Sequence, residues 1–205
     1  MDSLDRLSGV DWTFGGGTAM RLFYRHRQSK DIDIFMHDPQ LLMSLSPRLN
    51  DVVEGLAPRT YTEQSNFLKM HFDEGEIDFI LAPRLLAGVP PEVFVILGRQ
   101  VRVDTPAEIV AKKCFYRAID FTVRDVFDFA VLLDREPEAV ESHADVFFAK
   151  WESLQARIEG MGSEPERFHQ EIDALSIEPD CLHIKNTALA TVAATIAEHR
   201  PQSDA

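Results

Sequence analysis

Two carboxylates one residue apart, Asp31 and Asp33, follow a glycine-rich turn and a short polar segment in the stretch Phe14–Phe35, FGGGTAMRLFYRHRQSKDIDIF. In an extended strand alternate side chains share a face, so the two acids point the same way, roughly 6.5–7 Å apart. Ile32, Ile34 and Met36 then turn toward a core. Like charges held that close repel and raise one pKa unless a cation sits between them. A hard divalent cation, Mg²⁺ (or Mn²⁺), suits the place, because it takes one or two carboxylates together with phosphate oxygens from a substrate.

The turn before the acids supplies the anion side of the same chemistry. Val10–Phe14 reads as a strand, and Gly15, Gly16 and Gly17 let the backbone turn tightly and approach a ligand closely. Thr18 is placed to cap the helix that follows and to offer its hydroxyl to a phosphate. Free N–H groups at a helix start favour anions, so Gly16, Gly17 and Thr18 form a candidate phosphate cradle. GGGT alone reads more readily as a plain strand-to-helix turn; the Asp-x-Asp that follows reverses that reading. Arg27 and Ser29 precede the acids and can reach the same phosphates, although Arg27 can instead cap the helix C-terminus. His26 reads as a packing residue, and His37 and His71 lack the spacing of zinc ligands.

Other elements must carry these residues. Pro39–Leu56 has helical spacing, with Leu41, Leu42, Leu45, Leu49, Val52 and Val53 as the apolar positions. A strand is weakly marked over Arg59–Glu63. Phe67–Phe72 and Ile77–Leu81 read as a hairpin turning through Asp73-Glu74-Gly75-Glu76, which would set His71 opposite Asp78. Val93–Leu97 and Gln100–Val103 read as a second hairpin through Gly98-Arg99. Thr105-Pro106-Ala107-Glu108 is a helix start. Beyond it the chain is helical: to about Ala118, from Val123 to about Leu133, from Pro137 to a break at Gly160 and Gly162, over about 164–175, and over Lys185–Glu198. The tail His199–Ala205 is expected to fray. Strands followed by helices predict an α+β chain: a mixed α/β catalytic half, residues 1–103, and a helical half, residues 104–205.

The runs GGGTA and HRQSKDIDIF resemble the AbiEii/AbiGii toxin nucleotidyltransferases of the DNA polymerase β-like superfamily. The resemblance continues in Glu76–Leu81 (EIDFIL), which looks like the strand bearing a third carboxylate, here Asp78. It extends to Glu108–Phe129, similar to a Lys-containing helix followed by an Arg-Asp-x-x-Asp helix. It implies a polymerase β-like domain with a mixed sheet, followed by a helical C-terminal domain. It also implies transfer of a nucleoside monophosphate from an NTP to an acceptor hydroxyl. Asp31 and Asp33 would hold the nucleotide-bound metal, and Asp78, with either, a second metal. Asp78 is also the candidate general base.

Lys113 and Arg117 lie four apart on one helix face and could meet the triphosphate. Lys112 faces elsewhere and reads as solvated. Arg124, Asp125 and Asp128 follow on the next helix as supporting residues; the two acids read first as a structural ion-pair lock between the two helices and the catalytic domain. The resemblance marks Lys113 and Asp125 as functionally important. It further implies an RNA acceptor such as a tRNA 3′ end, and an antitoxin partner that need not form a stable complex.

Composition sets the outer bounds. Hydrophobic content of 45% and charged content of 27% over 205 residues are those of an ordinary globular chain. No apolar run reaches the ~18–20 residues of a membrane span, and the first residues lack a secretory pattern. With only two cysteines, a reduced cytoplasmic protein is expected. The net charge of −13 is uneven: residues 1–103 carry 11 Lys+Arg against 14 Asp+Glu, net −3, and residues 104–205 carry 10 against 20, net −10. A strong grip on duplex phosphate is therefore excluded, while Arg21, Arg25, Arg27 and Lys30 can still serve a nucleotide or an RNA end. Two other functions compete. The acidic balance suits a transferase acting on a cationic small molecule, as antibiotic nucleotidyltransferases do. A non-catalytic nucleotide-binding regulator is the other, against which the intact carboxylates and glycine turn argue.

Overall fold

The computed structural model describes residues 11–56 and 60–201. Val10, Arg59 and residues 202–205, where parts of the expected elements fall, lie outside the described residues. The chain divides into two units: residues up to 19 with 29–84 and 90–105, and residues 20–28 with 85–89 and 106 onward.

The first unit is built on a sheet of seven strands: β1 Trp12–Gly15, β2 Ile32–Met36, β3 Tyr61–Glu63, β4 Phe67–Phe72, β5 Gly75–Leu81, β6 Glu92–Ile96 and β7 Arg99–Val103. Their order is β3-β4-β5-β2-β1-β7-β6. The sheet is mixed: β2 runs parallel to β5 and β1 to β7, and the other pairs are antiparallel. One face of β2, β4 and β5 packs on Leu42, Leu45 and Val53, with Met36, Leu68 and Met70 as its buried contribution. The opposite face is therefore the one that carries polar side chains.

The register corrects two expectations. Phe72 pairs with Gly75 and Met70 with Ile77, so the first hairpin turns through Asp73-Glu74 alone, and Lys69 rather than His71 faces Asp78. Ile96 pairs with Arg99, so the second hairpin turns through Leu97-Gly98 rather than Gly98-Arg99. Both residues of that turn have positive φ, 51° at Leu97 and 76° at Gly98, the combination that matches the strand twist in a two-residue hairpin.

The segment 39–56 is two short helices, Pro39–Ser44 and Asp51–Leu56. Asp38 caps the first by accepting from the Gln40 amide at 2.9 Å, and Asn50 Oδ1 accepts from the Val52 and Val53 amides at 3.1 and 3.2 Å to open the second. This break rotates Leu49 and Val52 out to solvent, against their expected core role.

The second unit is helical. Helices Pro106–Tyr116, Val123–Arg135, Trp151–Ser163, Pro165–Asp173 and Ala188–Glu198 surround a core that includes Phe121, Phe127, Phe129, Phe147, Leu154 and Ile172. Gly160 and Gly162 do not interrupt their helix, which runs to Ser163. Each glycine costs about 1 kcal/mol of helix propensity. Leu154, Ile158 and Met161, all buried, hold the helix through that cost.

Candidate active site

The residues that open the sequence argument meet on the polar face of the first unit's sheet. Asp33 on β2 and Asp78 on β5 are register partners on adjacent parallel strands, so they share a face. Asp31 lies one residue before β2, and its Oδ1 accepts from the Glu76 amide at 3.3 Å. Across β5, the Lys69 ammonium lies 3.0 Å from Asp78 Oδ2 and 2.6 Å from Glu76 Oε2. His71 Nδ1 is 2.9 Å from Glu76 Oε1. The face thus carries four carboxylates, Asp31, Asp33, Glu76 and Asp78, with the Lys69 ammonium against two of them.

Asp78 differs from its neighbours. Its Oδ1 is buried and has no hydrogen-bond partner. Burial pushes its carboxyl above the usual aspartate range, and Lys69 opposes that push without cancelling it. A carboxylate raised in this way is a better proton acceptor than an exposed one.

Does this set suit a divalent cation? Among the described residues no group of three or more His, Cys, Asp or Glu side chains is already drawn together as a ligand cage. Mg²⁺ does not need one: it takes one or two protein carboxylates and completes its shell with water and substrate phosphate. All-oxygen donors, a shared face and the unpartnered Asp78 Oδ1 fit that description. Asp31, Asp33 and Asp78 are the residues that would hold it.

The glycine turn is fitted against the same acids. Gly15 pairs with Asp33 across β1 and β2, and Gly16, at φ +68°, begins the helix Gly16–Tyr24. A Cβ on Gly16 would fall 1.8 Å from Asp33 Oδ2. Only glycine satisfies both the backbone angle and the contact. Thr18 is the third helical residue rather than the expected cap, because the helix already starts at Gly16; its hydroxyl is buried without a partner. Ser29 is half-buried in the coil before Asp31. Gly16→Ala must strain the left-handed backbone and push Asp33 aside, so nucleotide transfer is expected to fall on the order of a hundredfold and the melting temperature to drop by several degrees. A variant with wild-type transfer would show that the Asp33 position is not critical.

The remaining sequence candidates gather in the second unit. Asp128 is fully buried and accepts from Arg27 Nε at 2.6 Å and Nη2 at 2.8 Å. His26 Nε2 lies 2.9 Å from Asp128 Oδ1 and stacks on Phe127. Lys113 hydrogen-bonds Asp128 and lies 2.9 Å from Asp125 Oδ1. Arg117 lies 3.4 Å from Asp125 Oδ2. Burial alone would raise both acids, but Lys113, with Arg27 at Asp128 and Arg117 at Asp125, outweighs it and holds them below the usual range, Asp128 far below. Arg124 stands apart on the exposed side of its helix.

Asp125 also closes a reciprocal cap with Thr122, taking the Thr122 amide at 3.0 Å while its own amide donates to the Thr122 hydroxyl. Thr-x-x-Asp was legible as that cap. Lys112, expected in solvent, is buried and lies 3.5 Å from Glu108, whose carboxylate also accepts from the Leu85 and Leu86 amides. Those two amides tie residues 85 and 86 to Glu108, a contact that a helical wheel cannot show.

No curated protein matches the chain significantly. Among solved structures, an antigenic nucleotidyltransferase-like protein from Paracoccidioides brasiliensis is similar at 16% identity and a TM-score of 0.37, over 76% of this chain and 88% of that one. A CdnC:HORMA-deltaN complex of E. coli MS115-1 is similar at 17% identity and a TM-score of 0.32, over 96% and 78%. The family model described as "Nucleotidyl transferase AbiEii toxin, Type IV TA system" matches residues 3–200, nearly the whole sequence. The chain belongs to that family and is a nucleotidyltransferase of the AbiEii toxin group.

Proposed function

We propose that this chain moves a nucleoside monophosphate from an NTP to the 3′ hydroxyl of an RNA, such as a tRNA, in a reaction that requires Mg²⁺ or Mn²⁺. The observation that carries the reading is the pairing of Asp33 with Asp78 on one face, with Gly16 fitted beneath the Asp33 carboxylate. A bound divalent cation would neutralise the triphosphate and make the attacking hydroxyl more acidic. Asp31 and Asp33 hold the nucleotide end. The Gly16 and Gly17 backbone and the Thr18 hydroxyl take phosphate oxygens. Asp78 Oδ1 accepts the proton of the acceptor hydroxyl as its oxygen bonds to the α-phosphorus. The bond from that phosphorus to the bridging oxygen breaks, and pyrophosphate leaves.

Membership of a type IV toxin–antitoxin family implies an antitoxin partner; in this reading it counteracts the product in the cytoplasm without forming a stable complex with the toxin. The test is incubation with each NTP, labelled at the α-phosphate, with and without EDTA, beside total RNA or a panel of aminoglycosides. Label on RNA that is lost with EDTA is the expected result. Label on the aminoglycosides alone would reject the RNA acceptor, and EDTA-resistant label would reject the metal requirement.

A further inference from the structure

Nothing in the sequence singles out Lys69, yet its ammonium bridges two carboxylates of the polar face, 2.6 Å from Glu76 Oε2 and 3.0 Å from Asp78 Oδ2. Its side chain is about one-third exposed, so the ammonium can draw back from Asp78 while it keeps Glu76. In the bridging position it covers Asp78 Oδ2, and Oδ1 is buried without a hydrogen-bond partner. His71 on the far side of Glu76 keeps that carboxylate oriented toward the lysine.

We infer that Lys69 is a positioning residue that acts as a tethered cation, bridging Asp78 and Glu76 in the nucleotide-free protein and keeping Glu76 alone when a divalent cation takes Asp78. The inference rests on the transferase reading only in taking Asp78 as a cation ligand. An ammonium and a divalent ion compete for one carboxylate, and each raises the Coulomb cost of the other. The free protein therefore resists loading Asp78 with a solitary ion. A cation brought in on a triphosphate carries its own counter-charge and can displace the lysine. The device keeps the proton-accepting carboxylate from being blocked before substrate is present.

The test is Mn²⁺ binding to the full chain without nucleotide, followed by electron paramagnetic resonance. Lys69→Met should bind Mn²⁺ about tenfold more tightly than wild type. A site merely damaged by the substitution would bind it more weakly, so the sign separates the two roles. Lys69→Arg, which keeps the charge, should stay within about twofold of wild type. In an Asp78→Asn background the Lys69→Met gain should vanish.

Unchanged or weaker binding by Lys69→Met overturns the inference. So does an arginine variant that binds as tightly as the methionine one, or a gain that survives in Asp78→Asn. The two readings fail separately. A wild-type protein that shows the Lys69 effect but labels no acceptor refutes the transferase reading alone. An active transferase whose Lys69→Met variant binds Mn²⁺ no more tightly refutes this one alone.

Discussion

Asp33→Ala is expected to lower nucleotide transfer on the order of a thousandfold or more while leaving the fold as stable as wild type, or slightly more stable. Asp33 is half-buried, faces Asp78 on the next strand and presses on Gly16 from above. In the proposed reaction positive charge would sit beside the triphosphate, and a carboxylate would fix that charge in position. Removing one of four acids from a single face also relieves like-charge repulsion, so thermal unfolding should shift upward or not at all. The combination is diagnostic, because a variant that loses activity by misfolding would melt early. Asp31→Ala should act in the same direction. Wild-type labelling by both variants would remove these carboxylates from the reaction.

Which parts of this site could be read from the sequence follows from the range of the interactions involved. Gly16 and Asp33 lie on a turn and the strand that follows its helix, where glycine chemistry and alternation act locally, and both elements were legible; Asp31 falls just before that strand and Thr18 inside the helix rather than at its cap. Asp78 needed the pairing of β2 with β5, strands more than forty positions apart, and its place rested on resemblance to a family. Lys69 was missed through a two-residue register error. Glycine is expected inside a hairpin loop, so Gly75 was placed in the turn, whereas it is the first residue of β5 and pairs with Phe72. Because a strand alternates, that shift kept the faces and moved every partner: His71 left Asp78 and Lys69 took its place. A tight Asp73-Glu74 turn, weighed against the longer one, was the available signal.

The helical unit failed differently. Helical spacing put Lys113 with Arg117, and Arg124 with Asp128; the ion-pair reading of Asp125 and Asp128 matches the contacts they make with Lys113 and Arg117, while Arg124 is exposed, and spacing says nothing of what lies above a helix. Arg27 pairs with Ile177 in an isolated bridge, and its neighbour Gln28 donates its amide to Ser176 at 2.9 Å. These contacts between residues some 150 apart carry the Arg27 guanidinium to Asp128. No local pattern encodes them. The buried Lys112 is a similar case, since a four-residue spacing to Glu108 suggests only a surface pair. The burial of these helix charges depends on distant segments that cover them, so a helical wheel alone could not show it.

That burial makes Asp128→Asn the substitution with the largest expected cost to stability, about 3–5 kcal/mol. The carboxylate answers Arg27, Lys113 and His26 at once with none of its side chain exposed. An asparagine of the same shape would leave the guanidinium and ammonium buried with only Asp125 to offset them, and its amide hydrogens would face donors. Urea unfolding at neutral pH measures the loss. The pH dependence gives an independent check. The folded-state pKa of Asp128 lies well below its unfolded value of about 3.9. Its stabilising contribution is therefore complete above that value and is lost as pH falls toward the folded pKa. Wild type and variant should differ by a constant amount from about pH 5 upward and converge below about pH 4. A variant that unfolds at the wild-type urea concentration would mean that Arg27 and Lys113 reach water or another anion once Asp128 is gone, and the network would then be a consequence of the fold rather than a support of it.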